Sequence, residues 1–448
     1  MISLRIAKIK LRLVMLNFFL KKIKNTFFIA ALLHDCAHSP FSHTGEDITK
    51  THCNDIVKNK IKTFFKNTDF PKDLDSAENY PSIHELASAY VGARYFKQKF
   101  KTHSVDAEQF ARMITGVKNI VKTKDNYEAK IYNFLIPLIN GFIIDVDRLD
   151  YLLRDTWASG VSNARVDMIR LLNGIKLNWD TGDIEIKNQS LSSLINAVKA
   201  RDFIYQWILP HHKVAYFNHI LHDAMLKLMT SMAPKYEEDI NDIEKAAKVA
   251  EQIFSPERFF TPFYIGDDRI FMPTDGDIIY LIKKYDNIIK KHGRFKSAEQ
   301  VLTRKGHLEP LWKSVPEFAS LFPPPSPPTG ASKESHKKFY NSLWGAIQKK
   351  TKETLSPEHN FLVLEPKKIK KIEHALQDIN ISIENSTIGL EKINLKCVLP
   401  QTDVYDLYYF FVYVPPDAPK KKLLERYKEI YSNLVKEMTD AANPHPLY

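Results

Sequence analysis

The sequence predicts a mainly α protein with a smaller α+β region towards its C-terminal end. Two observations carry this expectation. Apolar residues recur at three- and four-residue intervals through Ala107–Lys118, Tyr127–Asn140, Ser192–Ile208 and Val214–Met232, the spacing of helices that bury one face. Beyond the run Phe322–Gly330, which holds five prolines, the pattern changes to short apolar and aromatic runs at Phe361–Glu365, Ile393–Leu399 and Val404–Val414, which read as strands.

The elements follow in order. Met1–Leu33 holds basic residues and the apolar run Leu13–Leu20. Lys21, Lys22 and Lys24 interrupt that run, no small-residue cleavage site follows it, and no run reaches the length of a membrane span. It therefore reads as a buried first helix, neither a signal peptide nor a membrane anchor. Ile175–Gln189 alternates on either side of Asp180-Thr181-Gly182-Asp183 and reads as a β-hairpin. Glu237–Arg258 and Asp275–Lys291 are further helical stretches, and Lys420–Met438 an amphipathic helix. The expected organisation is a helical core over 1–260, a helical extension over 261–321, a Pro-rich linker over 322–335 and an α+β region over 336–448. In that last region Tyr408, Tyr409, Phe410 and Phe411 are expected to pack a sheet. Stacking of these rings on single-stranded nucleic acid is the competing reading.

Composition agrees with this organisation without deciding the function. A formal charge of +11 and a pI near 9.1 suit an anionic partner, nucleotide or nucleic acid, and equally a soluble basic surface, since the excess lysines are scattered. The three cysteines (Cys36, Cys53, Cys397) are odd in number and widely spaced. They form neither a zinc pattern nor a disulfide framework and suit a reducing cytoplasm, with Cys36 serving packing.

The chemistry concentrates in two segments. His34-Asp35-Cys36-Ala37-His38-Ser39-Pro40-Phe41-Ser42-His43-Thr44-Gly45-Glu46 follows the apolar run Phe27–Leu33. A helix beginning near Phe27 would bear His34 and Asp35 at its end, with His38 one turn on. Pro40 would then turn the chain so that Ser42, His43 and Glu46 come back over the same place. An imidazole beside a carboxylate can hold a metal ion, and further imidazoles can hold phosphate or move protons. In Asn140–Asp155 the residues Asp147, Tyr151, Arg154 and Asp155 recur at helical spacing and share a face. Such a face could equally be solvated and laced with ion pairs.

Together, Ala30–Glu46 (AALLHDCAHSPFSHTGE), Ile83–Glu85 (IHE) and Ile143–Asp155 (IIDVDRLDYLLRD) resemble the HD-domain phosphohydrolases. The likeness is strongest to the dNTP triphosphohydrolase branch, which includes bacterial dGTPases and the SAM-and-HD-domain enzymes. Ala200–Leu226 is similar to the helix that follows in that branch. The resemblance covers roughly residues 5–260, a little over half of the chain. It implies an HD-domain helical core with His34, Asp35 and Asp147 as metal ligands. It implies that His38, His43 and His84 face the phosphates and supply the catalytic acid. Arg148, Tyr151, Asp155 and Arg201 would contact triphosphate and sugar, and Tyr205 and Leu209 fall where the branch contacts the nucleotide. The implied cofactor is a divalent transition metal (Mn, Fe, Co, Ni or Zn, with Mg the poorer fit to mixed nitrogen and oxygen ligands). The implied reaction releases deoxynucleoside and inorganic triphosphate, in a cytoplasmic homo-oligomer. The branch also has an earlier ligand histidine in an RxxHS-type segment, whose place here falls just before Met1. A chain that starts late, a weaker three-ligand site, and a catalytically silent nucleotide- or nucleic-acid-binding module are the three readings of that departure. A phosphohydrolase acting on another nucleotide or on single-stranded nucleic acid ends is the alternative within the family.

Overall fold

The computed structural model describes residues 2–442 except 122, 124, 142–143, 161–165, 233–241, 266–267, 292–295, 324–332, 355–360, 365–366, 370–379, 384–385 and 390–406. The helices, in chain order, are α1 (Ile2–Leu33), α2 (His43–His52), α3 (Asn54–Phe64), α4 (Phe70–Asp75), α5 (Ile83–Tyr95), α6 (Lys97–Thr102) and α7 (Ala107–Thr115). They continue with α8 (Tyr127–Ile139), α9 (Val146–Ala158), α10 (Met168–Asn173), α11 (Leu191–Phe203), α12 (His212–Met232), α13 (Asp242–Phe254) and α14 (Asp275–Lys291). The last are α15 (Ser297–Thr303), α16 (Val315–Leu321), α17 (Lys333–Thr354) and α18 (Lys420–Ala442). The fold is mainly α, as expected. Among the described residues no helix is long and apolar enough to cross a membrane.

The chain divides into two compact units that cross the boundaries drawn from sequence. The first comprises Met1–Ala200, Met225–Tyr285 and Ala375–Val398, the second Arg201–Ala224, Asp286–His374 and Leu399–Tyr448. At the centre of the first, α5 is buried nearly all round, from Leu86 through Ala93, and packs against α3 and α7. Gly92 makes that packing possible, since a Cβ there would come within 2.7 Å of the Phe110 ring of α7. Helix α7 starts where the Asp106 carboxylate accepts from the Glu108 and Gln109 amides. It stops short of the expected Lys118 because Gly116 takes a left-handed φ of 72°.

The first helix departs from expectation. No separate helix starts near Phe27, because α1 is continuous from Ile2 to Leu33. Nor is it buried all round. Ile23, Thr26 and Ala30 face the core, while Phe18, Phe28 and Leu32 are more than half exposed. Its buried stripe packs on α7 and α8, and Thr26 accepts the Asp106 amide at 2.9 Å.

A buried ion pair ties this core together. Arg112 of α7 donates to Asp73 of α4 at 2.7 Å, with the side chains 1% and 6% exposed. Arg112 also donates to Glu108 at 2.8 Å and to the Lys118 carbonyl at 3.1 Å, so removing Asp73 leaves the buried guanidinium partly paired. Asp73→Ala should therefore cost about 1–3 kcal/mol of unfolding free energy. A denaturant midpoint shifted by less than a typical surface substitution would contradict this reading.

The expected hairpin forms, β1 (Ile175–Leu177) pairing antiparallel with β2 (Ile184–Lys187). It does not stand alone. β2 also pairs in parallel with β8 (Asn380–Ile383), itself antiparallel to β9 (Ser386–Gly389), giving the order β1-β2-β8-β9. A second hairpin joins β3 (Phe263–Ile265) to β4 (Asp268–Ile270).

The second unit holds an aromatic core around a small sheet, β5 (Glu309–Pro310), β11 (Val412–Val414) and β6 (Leu362–Val363), in that order. Beside it, β7 (Lys367–Ile369) pairs with β10 (Leu407–Tyr409). Trp312 is fully buried against Phe318, Phe322 and Phe410, and its indole donates to the Phe410 carbonyl at 2.7 Å. Tyr409, Phe410 and Phe411 are all buried, so these rings pack the sheet and are withdrawn from stacking on bases. Residues 324–332 of the Pro-rich linker lie outside the described residues, and α17 already begins at Lys333 within the linker's expected bounds. The strand expected at Ile393–Leu399 and Cys397 both lie entirely outside the described residues.

Candidate active site

Four local devices in the first unit bring the chemistry-bearing residues together. Helix α1 ends at Leu33, and tight turns follow: the Cys36 amide donates to the Leu33 carbonyl and the His38 amide to the Asp35 carbonyl, each at 3.1 Å. His38 is thus presented from a turn and not from a further turn of α1. After Pro40 the chain reverses through Phe41 and Ser42, both at positive φ (60° and 50°), and α2 begins at His43. Gly45 lets α2 press against this reversal, because a Cβ there would lie 2.0 Å from the Pro40 carbonyl oxygen. On α5, a capping box between Ser82 and Glu85 fixes the first turn and with it His84. On α9, Asp145 caps the helix by accepting the Arg148 amide at 2.6 Å, placing Asp147 in the first turn.

Two groups of side chains result. In the first, His34 Nε2 lies 3.7 Å from an Asp35 oxygen and 3.7 Å from an Asp147 oxygen. His34 Nδ1 donates to the Ala31 carbonyl at 2.9 Å, which aims Nε2 into the space between the carboxylates. That atom is buried and, among the described residues, has no partner within hydrogen-bond distance. In the second group, His38, His43, Glu46 and His84 offer ligand atoms all within 4.8 Å of one another. Glu46 accepts from His84 Nδ1 at 2.7 Å and from His43 Nδ1 at 2.9 Å. The His38 and His84 rings stack at 4.3 Å. Asp35 links the groups, its other oxygen lying 4.0 Å from His84 Nε2.

Charge follows from this geometry. Asp147 beside it, with Asp35, raises the His34 pKa to about 9, and His34 in turn holds Asp147 below the usual carboxylate range. Burial and the neighbouring His84 lower His38 to about 4. Burial opposes ionisation of Glu46, but His43 and His84 outweigh it and hold its carboxyl well below its usual range. Burial likewise opposes a charge on His84, and the Glu46 bond overrides it, so His84 is raised.

A pH signature follows. A depressed Glu46 contributes stability that is complete above its ordinary 4.5 and lost as pH falls through its folded value. A raised His84 contributes stability that is complete below its ordinary 6.5 and lost as pH rises through its folded value. Melting curves of the metal-free protein and of Glu46→Gln should therefore differ most between pH 4.5 and 6.5 and converge on both sides. A difference independent of pH would contradict the pairing.

Other expected residues are placed differently. Arg148 is turned back onto its own helix start, 3.5 Å from the Asp145 carboxylate and 3.3 Å from the Gly141 carbonyl. Tyr151 is partly buried on α9. Asp155 is exposed and accepts from Arg154, which also faces Asp150 at 3.6 Å, so this part of α9 is the solvated ion-paired surface. Arg201 and Tyr205 fall in the second unit, where the guanidinium lies 4.3 Å over the Tyr205 ring and 3.3 Å from Asp202. Leu209 is about half exposed there. Burial pushes the Asp202 carboxyl up to about 6, against the lowering pull of Arg201. Cys36 and Cys53 carry no disulfide, and burial pushes their thiols up to about 11 and 12, in keeping with packing.

No protein-family model matches the chain. It is 29% identical over 188 residues to an uncharacterized protein of Mycoplasma genitalium, covering 41% of this chain and 37% of that one. Over 232 residues it is 24% identical to a putative HD domain-containing protein of Acanthamoeba polyphaga mimivirus, covering 51% and 43%. The chain thus spans less than half the length of these curated relatives. Among solved structures, a phosphohydrolase from Bacteroides thetaiotaomicron superposes with a TM-score of 0.46 at 16% identity, over 87% of this chain and 79% of that one.

Proposed function

We propose that this chain is a metal-dependent phosphohydrolase of the HD-domain type that hydrolyses deoxynucleoside triphosphates to deoxynucleoside and inorganic triphosphate. One observation carries the reading: His34, Asp35 and Asp147 converge beside a histidine-glutamate cluster, the two joined through Asp35. The likeness to a putative HD domain-containing protein supports the same class. The residues suit a divalent transition metal, because a buried imidazole nitrogen with no hydrogen-bond partner among the described residues faces two carboxylates. His34, Asp35 and Asp147 would hold the ion, which when bound polarises a phosphoryl oxygen and makes water a better nucleophile.

The chain's own groups do the rest. His38, kept neutral by burial and stacked on His84, offers a ring N–H to a phosphate oxygen without adding a second fixed charge to the stack. His84 is the proton donor we favour over His43. Its Nδ1 is held by Glu46, its Nε2 points toward Asp35, and its side chain is 16% exposed against 78% for His43. As the bond between the α-phosphorus and the 5′-oxygen breaks, His84 would protonate the leaving oxygen. Sequence reasoning brought Glu46 back over the site but gave it no role, and in the structure it holds both His43 and His84. Its place three residues after His43 on α2 was the available signal.

Purified protein supplied with Mn or Co and each of the four common dNTPs should release inorganic triphosphate from at least one. Bound metal without turnover on any of them would overturn the substrate. Neither metal binding nor turnover would favour the silent-module reading.

A further inference from the structure

The reversal that separates His38 from His43 is held by two side chains from more than two hundred residues later in the same unit. At one end Arg258, 3% exposed, donates from Nη2 to the His38 carbonyl at 2.7 Å and to the Ala37 carbonyl at 3.2 Å. Its Nη1 donates to the Phe254 carbonyl at 2.9 Å, and among the described residues no carboxylate lies within ion-pair distance of it. A buried guanidinium that spends its donors on backbone carbonyls is costly unless those carbonyls have to be held. At the other end Asp275, in the first turn of α14, accepts the Phe41 amide at 2.7 Å. At this second point and just beyond it the backbone is strained. Phe41 has φ 60°, and Ser42 has φ 50° with ψ −126°, a region that favours glycine. Strained backbone persists only where its surroundings over-determine it. Here the conformation delivers His38 from one side and His43 from the other, with their rings 4.9 Å apart.

We infer that Arg258 and Asp275 are positioning residues, which clamp the two ends of the strained 37–42 turn and so fix His38 and His43 against Glu46 and His84. Neither would touch substrate. The segment bearing Asp275, expected from sequence to be a helical extension outside the core, would therefore complete the site. The clamp rests on geometry alone. Only its effect on turnover rests on the proposed phosphohydrolase activity.

Asp275 is exposed, so its variants should fold, whereas loss of the buried Arg258 could unfold the chain. The decisive experiment is therefore a cycle between Asp275→Ala and Ser42→Gly, with Asp275→Asn as the conservative control. Two quantities are read: amide exchange across residues 38–46, and kcat and KM on whichever dNTP the wild type hydrolyses best. Asp275→Ala should speed exchange at Phe41 and its neighbours and lower kcat about ten- to a hundredfold, with KM changed less. Asp275→Asn, whose side-chain oxygen can still accept the Phe41 amide, should stay near wild type. In the Ser42→Gly background, where the left-handed backbone is no longer strained, the loss should shrink by at least about threefold. Unchanged exchange in Asp275→Ala, or an equal loss in both backgrounds, would overturn the clamp. Wild-type protein with no turnover on any dNTP would sink the proposed activity, and the exchange arm would still decide the clamp.

Discussion

Asp147→Ala is expected to abolish turnover, by at least about a thousandfold, the equivalent of several kcal/mol of transition-state stabilisation. Asp35→Ala should do the same. Both carboxylates stand at His34 Nε2, and both side chains are more than 40% exposed, so they contribute little to the core. Asp35→Ala should therefore melt close to wild type in metal-free buffer. Asp147→Ala should melt lower at neutral pH, because the pairing of Asp147 with the raised His34 contributes stability that is lost only as pH rises through about 9. Loss of Asp147 also removes the main cause of the raised His34 pKa, so in that variant the imidazole should titrate nearer its ordinary value. Calorimetric titration with Mn, set beside turnover, checks the assignment. A variant that keeps full metal affinity and full rate would remove Asp147 from the site.

His84→Ala is the second large effect. A general acid held by one carboxylate typically contributes about a hundred- to ten-thousandfold. The loss should fall on kcat. His38→Ala should instead weaken binding as well as rate, since a neutral ring buried against His84 is suited to holding a phosphate oxygen. Glu46→Gln should resemble a milder His84→Ala, because the amide can no longer hold a proton on His84 by charge. Nucleotide binding measured beside turnover separates these roles. Loss of binding in His84→Ala with normal turnover at saturation would reverse them.

Much of the site was legible because its devices are local. The spacing of His34, Asp35 and His38, the break at Pro40 and the return through His43 lie within thirteen residues, and α9 places Asp147 by its own cap. Helix α14 forms with both expected ends, Asp275 and Lys291, because its apolar period is uninterrupted. What stayed hidden depends on distant partners. The β2–β8 pairing joins segments nearly two hundred residues apart, and nothing in the alternation of Ile184–Lys187 names its neighbour. Arg148 and Asp147 are adjacent in sequence, yet the Asp145 carboxylate turns Arg148 away and leaves Asp147 at His34. The helical period of Asp147, Tyr151, Arg154 and Asp155 correctly put them on one helix, but could not say where the site ended and the solvated ion pairs began. Arg201 matched by motif, and the structure groups it with Tyr205 and Asp202 in the second unit.

The most direct test of the central claim is the fate of water oxygen. Hydrolysis in isotopically labelled water, followed by mass spectrometry of both products, distinguishes attack at the α-phosphorus from attack elsewhere. A site built from His34, Asp35 and Asp147 with His84 as acid predicts label in inorganic triphosphate and none in the deoxynucleoside. Label in free phosphate or pyrophosphate, with a nucleotide as the other product, would contradict it.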